Sequence, residues 1–392
     1  MNRNQYEGDF IEQIVTVVEK KINPVPLHVA DYLVGLKFRI SEVNSHLDLG
    51  YNGVCIIGIH GKGGIGKTTL AQTVYNLIEK QFDFKCILHN VRENSVKHGL
   101  EYLQEQLLSK SIGFETKFGH VNEGIPIIKR RLCHTKVLLI LDDVDQVKQL
   151  ENLIGEPGWL GSGSRVIITT RDKKLLSDHG ITRIYEAGCL NEVEALELLR
   201  KVVFKSNIND SSYDNILDRA VKYASGLPLA LKIVGSNLFD KTLEQCTHAL
   251  DKYERIPHED IQKILKVSYD ALREEEQSVF LDIACFFKEH RKEYVQEVLH
   301  DHYSYRIEEH LRVLVDKSLI EIDTYYAKVT LHDLIEDMGI EIVRQESIKE
   351  PGERSRLWRR DDIVHVLQEN TVILILCFWT YISPSHTRYF YT

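Results

Sequence analysis

The 392-residue chain lacks several features that would assign it quickly. It has no long apolar run: the longest strongly apolar stretch is residues 372–379, eight residues, against the about 18 that a membrane-spanning helix needs. Its first residues, MNRNQYEGDF, hold no apolar signal core. It has no excess of positive charge. Its 49 Lys and Arg stand against 58 Asp and Glu, the net charge is −9, and no basic stripe interrupts the balance. That argues against nucleic acid as a direct partner. It has no CxxC pair. The seven cysteines (55, 86, 133, 189, 246, 285 and 377) are scattered, mostly inside apolar runs such as Val54-Cys55-Ile56. They read as small core residues in a reducing compartment, not as disulfides or a zinc site. No internal repeat of about 20–50 residues is present. These absences predict a cytoplasmic or nucleo-cytoplasmic protein without membrane or nucleic-acid contacts. Hydrophobic and charged contents of 43% and 27% are ordinary for a globular chain, and at about 100–200 residues per domain the length suggests two to four domains.

Apolar spacing predicts a helix over residues 10–22 and another over 38–47. From Gly53 the pattern alternates. Strands are expected at 54–59, 86–91, 137–141, 165–170 and 183–186, with helices at 68–80 and 100–111. Residues 137–141 are five consecutive apolar residues, as a strand covered on both faces should be. Such alternation implies a parallel sheet with helices on both faces. After about Asn191 the strands stop, and helices are expected at 191–204, 211–224, 229–238, 258–269 and 274–287. Asn191 with Glu194, and Ser211 with Asp214, read as capping-box starts. Short alternating runs at 319–323 and 328–331 around Thr324-Tyr325-Tyr326 predict a hairpin, followed by a helix over 331–346. Helices, a hairpin and a further helix make a winged-helix module.

Gly61-Lys62-Gly63-Gly64-Ile65-Gly66-Lys67-Thr68 matches GxxxxGK[ST] between an expected strand and an expected helix. Glycines let successive N–H groups turn around phosphate oxygens, which a Cβ would obstruct. Lys67 reaches the terminal phosphates, Thr68 offers its hydroxyl to Mg²⁺, and the helix adds its positive dipole end. The apolar strand ending in Asp142-Asp143 follows. A carboxylate there holds Mg²⁺ from the opposite side, so Asp142 is the metal-facing candidate and Asp143 the candidate to orient or deprotonate an attacking water. Ile167-Ile168-Thr169-Thr170-Arg171 ends another strand. Arg171 either places its fork near a γ-phosphate or is a surface arginine paired with a neighbour such as Asp172.

Taken in order, these elements resemble one family. They are Val34-Gly35-Leu36, the glycine loop, residues 138–145, Thr169-Thr170-Arg171, Gly226-Leu227-Pro228-Leu229-Ala230-Leu231, residues 280–287 and Leu331-His332-Asp333. The chain is similar to the NB-ARC region of plant intracellular immune receptors of the TIR-NBS-LRR type, which are P-loop ATPases of the STAND class. Asn90-Val91-Arg92 and Asp145 resemble the TIR-type branch. The resemblance implies a P-loop NTPase domain over 34–190, an ARC1 bundle of four helices over 191–270 and an ARC2 winged-helix domain over 271–350. It implies ADP or ATP with Mg²⁺ as cofactors. Val34 and Gly35 would lie near the adenine, and Gly61, Gly63, Gly64, Ile65, Gly66, Lys67, Thr68 and Thr69 around the phosphates. Pro228 and Leu229 would close over the base or ribose, Arg171 would sense the γ-phosphate, and His332 would touch the β-phosphate and favour ADP. Without the family, Gly226-Leu227-Pro228 is a helix stop and restart, and His332-Asp333 a helix N-terminus.

Three departures stand out. Leu331 replaces the family's usual Met, a volume-conserving change. Against the family pattern, residues 1–33 are expected to be a linker helix without the TIR domain, and residues 351–392 a C-terminal linker and atypical tail without the leucine-rich repeats. The tail after Asn370, TVILILCFWTYISPSHTRYFYT, fits neither the family linker nor a repeat, and reads as a truncated or read-through end or else a terminal strand. The implied function is an ADP/ATP switch of plant defence signalling, at most a slow ATPase, with other immune receptor chains as partners and self-association on ATP. A motor-type ATPase and a non-catalytic regulator of full-length receptors are the competing functions.

Overall fold

The computed structural model describes residues 26–112, 117–204, 211–255, 258–303 and 306–368. The helix expected at 10–22 and the tail after Asn370 lie outside the described residues.

The expected strands form a five-stranded, all-parallel sheet: β1 (Cys55–His60), β2 (Phe84–Leu88), β3 (Val137–Val144), β4 (Arg165–Thr170) and β5 (Arg183–Glu186), in spatial order β2-β3-β4-β1-β5. The pleat sorts consecutive residues to opposite faces. In β3, Leu139 and Leu141 pack with Leu103, Leu107, Ile128 and Leu150 on one side, while Leu138 and Ile140 pack with Leu47, Leu70 and Val74 on the other. The first layer is α3 (Val91–Ile112), α4 (Val121–Leu132), α5 (Val147–Leu153) and α6 (Lys173–Asp178), and the second is α1 (Leu36–Leu47) and α2 (Lys67–Ile78). Both faces of the sheet are therefore dry, as its unbroken apolar runs required.

Two sequence expectations shift here. The strand expected over 86–91 ends at Leu88, because Asn90 adopts left-handed backbone (φ 49°) and Val91 opens α3. That helix begins nine residues before the expected 100 and breaks at Gly99, whose φ of 84° is closed to most side chains.

Beyond the sheet come α7 (Glu192–Phe204), α8 (Asp214–Ala224), α9 (Pro228–Leu238), α10 (Leu243–Arg255) and α11 (Glu259–Asp270). The resemblance implied four helices here, and the described residues form five. The last, α11, packs on both α9 and a later helix, α15 (Asp333–Glu346). The capping box at the start of α7 is present in full. Glu194 N–H donates to Asn191 Oδ1 (2.9 Å) and Asn191 N–H to Glu194 Oε2 (3.2 Å).

Then follow α12 (Glu274–Asp282), α13 (Lys292–Tyr303), α14 (Ile307–Asp316) and an antiparallel ribbon of β6 (Glu321–Ile322) and β7 (Val329–Thr330), which leads into α15. The helix expected to run to 287 relaxes into a π-turn at Ile283–Phe287. The ribbon's turn is held by Asp323, whose Oδ1 accepts the N–H groups of Tyr325 and Tyr326. Apolar residues from Leu190 to Val343 form one connected core beneath these helices. A final helix, α16, spans Arg360–Gln368. Among the described residues, no helix is long and apolar enough to cross a membrane, and six cysteines are free.

Candidate nucleotide-binding site

In an open parallel sheet, ligands bind outside the carboxyl ends of the strands. The strand order puts the ends of β1, β4 and β3 side by side there. The glycine loop joins β1 to α2, Arg171 follows β4, and Asp142 and Asp143 end β3. Motifs about 75 and 100 residues apart thus converge because β4 lies between β1 and β3.

The loop is packed from two directions. A Cβ on Gly63 would sit 2.6 Å from Arg171 Nη1, and one on Gly64 would sit 2.7 Å from the Leu229 side chain. Gly64 also has φ 78°, and its carbonyl accepts the N–H of Leu229 (3.2 Å) at the first turn of α9. Leu229 therefore grips the phosphate loop itself. Gly66 closes the loop as the residue before α2, with Leu70 N–H on its carbonyl.

Lys67 is 8% exposed. Its Nζ donates to Gly61 O (2.6 Å) and Lys62 O (2.8 Å). Burial, reinforced by the charge of Arg171, pushes its pKa down to about 7 against the pull of Asp143 and Asp142. A strained cation of this kind is ready to accept an anion.

Asp142 is 4% exposed. Its Oδ1 accepts the hydroxyls of Thr68 (2.6 Å) and Thr169 (2.7 Å). The β3–β4 register slips between Leu141 and Val144, leaving Asp142 and Asp143 opposite Thr169 alone. This is a β-bulge, a device that re-aims side chains. Asp143 takes left-handed backbone there (φ 58°), and its N–H donates to Thr169 Oγ1 (2.9 Å). Thr169, quoted in a motif but not among the expected site residues, holds the Asp142 carboxylate and the Asp143 main chain. Nothing in the strand's apolar pattern marks the bulge.

Arg171 is not paired with Asp172, which caps α6 and binds Lys317 (2.8 Å). Its Nε faces Asp143 Oδ1 at 3.7 Å and its Nη1 donates to Ile264 O of α11 (2.6 Å). Two residues that sequence reasoning did not place in the site join it. Arg92 donates to Asp143, and Lys62 of the loop pairs with Glu321 of β6 (2.6 Å).

Val34, Ile65, Gly66, Thr69 and Pro228 line one cleft with Leu36, Leu190 and Leu198. Its walls are mostly apolar, as a base site's are. Gly35 sits at its rim as the residue before α1, with its carbonyl bonded to Arg39. Arg39 in turn reaches Cys189 O (2.9 Å) and Glu194 (3.2 Å). His332 caps α15: Nδ1 accepts Leu334 N–H, and Nε2 donates to Ser225 O (3.0 Å). Burial and the charge of Lys62 push its imidazole down to about 4, so it is neutral at physiological pH. His332 thus holds the end of α8, just ahead of Gly226-Leu227-Pro228, and feels Lys62 without bonding to the loop.

Residues 37–209 match the NB-ARC domain family, and residues 273–347 match the winged-helix domain described as Disease resistance protein Roq1-like. The TMV resistance protein N of Nicotiana glutinosa is 38% identical over 377 residues, which are 94% of this chain and 32% of that protein. The disease resistance protein RPV1 of Vitis rotundifolia is 40% identical over 366 residues, 93% of this chain and 26% of its own length. The chain thus spans about a quarter to a third of these relatives. A more distant similarity is to a STAND protein with a tetratricopeptide repeat sensor from Pyrococcus horikoshii (22% identity, TM-score 0.38, 88% of this chain and 47% of that one). With a P-loop sheet, a helical segment and a winged helix in this order, the chain belongs to the NB-ARC family of plant disease resistance proteins.

Proposed function

We propose that this chain is an ADP/ATP switch of plant immune signalling, and that residues 34–190, 191–270 and 271–350 are its nucleotide-binding, ARC1 and ARC2 domains. The carrying observation is that both later segments hold the phosphate loop directly, through Leu229 N–H on Gly64 O and through Lys62–Glu321. A nucleotide that alters the loop is thereby read by each of them. A switch needs a ligand whose contacts differ between two states, and the γ-phosphate is that difference. Arg171, bonded to α11 through Ile264 O, is the group to exchange that bond for a γ-phosphate oxygen. ADP then keeps the three parts together, ATP releases them toward self-association and partner receptors in the cytoplasm, and slow hydrolysis resets them. The paired oxygens of Thr68 and Asp142, hard donors 2.6 Å apart, fit Mg²⁺, which takes one or two protein oxygens besides phosphate and water. When bound, it neutralises charge on the phosphates.

The test is nucleotide extraction together with turnover. About one ADP per purified chain and turnover well below about 1 s⁻¹, under typical enzyme rates, are expected. A nucleotide-free protein, or rapid turnover, overturns the reading.

Affinity also carries a pH signature. With its pKa near 7, Lys67 is mostly neutral above that pH. A phosphate beside it restores the ammonium, so binding takes up a proton. At about pH 8 the uptake should approach ~0.9 proton, and affinity should fall up to about tenfold for each further pH unit. Titration calorimetry in buffers of different ionisation enthalpy measures this, and zero uptake at that pH contradicts it.

A further inference from the structure

Asp143 is held more firmly than its place beside a metal-facing carboxylate explains. Arg92, from the first turn of α3, lays one guanidinium edge on a single oxygen, with Nε and Nη2 each 2.8 Å from Asp143 Oδ2. Oδ1 is left facing the other side, toward Arg171 Nε at 3.7 Å, and the Asp143 charge is felt at Lys67. The main chain is fixed as well, by the bulge, the left-handed φ and the bond to Thr169 Oγ1. With Oδ2 and the main-chain N–H both bonded, the carboxylate plane has one orientation. The Arg92 side chain is 32% exposed, and it lines a cleft with Asp143, Thr170, Arg171, Ser268 and Lys317. Water thus has a way to Asp143 from between the sheet edge and α11.

We propose that Arg92 is a positioning residue for nucleotide hydrolysis, presenting Asp143 Oδ1 to the attacking water by holding Oδ2. This rests on the hydrolysis step of the proposed function. In that step the water oxygen bonds to the γ-phosphorus. The bond from that phosphorus to the β–γ bridging oxygen breaks, its electron pair leaving with ADP. The water's proton passes to Asp143 Oδ1 and then to the released phosphate. Arg92 has a second consequence. Arg171 can leave Asp143 for the γ-phosphate without stranding an unpaired, half-buried carboxylate, because Arg92 stays. Lysine cannot substitute fully, since a single ammonium lacks the Nε–Nη2 edge that closes on Oδ2 with two nitrogens at once.

The experiment uses the full chain, with single-turnover hydrolysis of radiolabelled ATP and separate binding of a non-hydrolysable ATP analogue. Arg92→Ala should slow hydrolysis about 10- to 100-fold, the cost of misplacing a reacting group, while the analogue's Kd stays within about threefold. Arg92→Lys should recover part of the rate. Arg92→Ala combined with Asp143→Ala should be no slower than Asp143→Ala alone, because residues acting as a unit are not additive. An unchanged rate in Arg92→Ala, a parallel loss of affinity in both Arg92 variants, or additive losses in the double variant overturns the proposal. If the parent chain binds ATP without hydrolysing it, this inference fails and nucleotide binding stands. If the parent chain binds no nucleotide, the proposed function fails first.

Discussion

Lys67→Ala should weaken ADP and ATP binding by about a thousandfold, in line with the roughly 2–5 kcal/mol lost when one side of a buried charge pair is truncated. The same substitution should leave the nucleotide-free fold as stable as before, or more so. Lys67 Nζ is buried on two loop carbonyls, and its pKa is lowered to about 7. The unfolded chain holds the proton up to about pH 10.4. Between those values the unfolded state binds more protons, so this group's contribution improves as pH rises and is least favourable below about 7. Near neutrality the ammonium therefore costs stability, and alanine removes that cost at the expense of some packed methylenes. Titration calorimetry measures the first effect and thermal melting without nucleotide the second. Retained ADP would remove Lys67 from the site. A large drop in melting temperature would make it a structural residue.

The second large effect is on stability. Arg356→Ala should cost about 3–5 kcal/mol, the usual penalty for breaking a buried ion pair from one side. Arg356 Nε lies 2.6 Å from Asp282 Oδ1, and both side chains are at most 10% exposed. Tyr303 donates to the other Asp282 oxygen (2.6 Å), and Arg356 Nη2 donates to Ser278 O and Oγ (2.8 Å each). This cluster staples the segment after α15 back onto α12. Removing the guanidinium strands Asp282 with Tyr303 as its remaining side-chain donor and frees the segment. Denaturant unfolding should register the loss. Replacing the pair together, as Asp282→Asn with Arg356→Met, should restore much of it, because no charge is then left buried alone. A change in Arg356→Ala below about 1 kcal/mol, the range of exposed ion pairs, would mean that the pair is not desolvated.

Much of this architecture was legible because it is written locally. The strands over 165–170 and 183–186 fell where expected, since β-branched and apolar runs bounded by turns leave few options. The helix at Val121–Leu132 has no clear sequence signature: Gly124 and Pro126 interrupt its periodicity, and burial of Ile128 and Leu132 overrides them. Helices Val147–Leu153 and Lys173–Asp178 are too short for periodicity to register, and they exist because β-strand ends feed them against the sheet. Helices over 243–255, 292–303 and 307–316 are equally weak in the sequence. Their polar faces are broad, and their apolar stripes gain meaning only against the shared core.

The sequence by itself determined the cradle. Glycine spacing, Lys67, Thr68 and an apolar strand ending in carboxylate specify phosphate chemistry wherever they occur between a strand and a helix. Tertiary structure decided who reads the cradle. The partnerships of Arg92 with Asp143, Arg171 with Ile264, Lys62 with Glu321 and His332 with Ser225 span 51 to 259 positions of chain. No local pattern encodes such distances. They follow from the strand order, which sets β4 between β1 and β3, and from the helices and ribbon that pack over that edge.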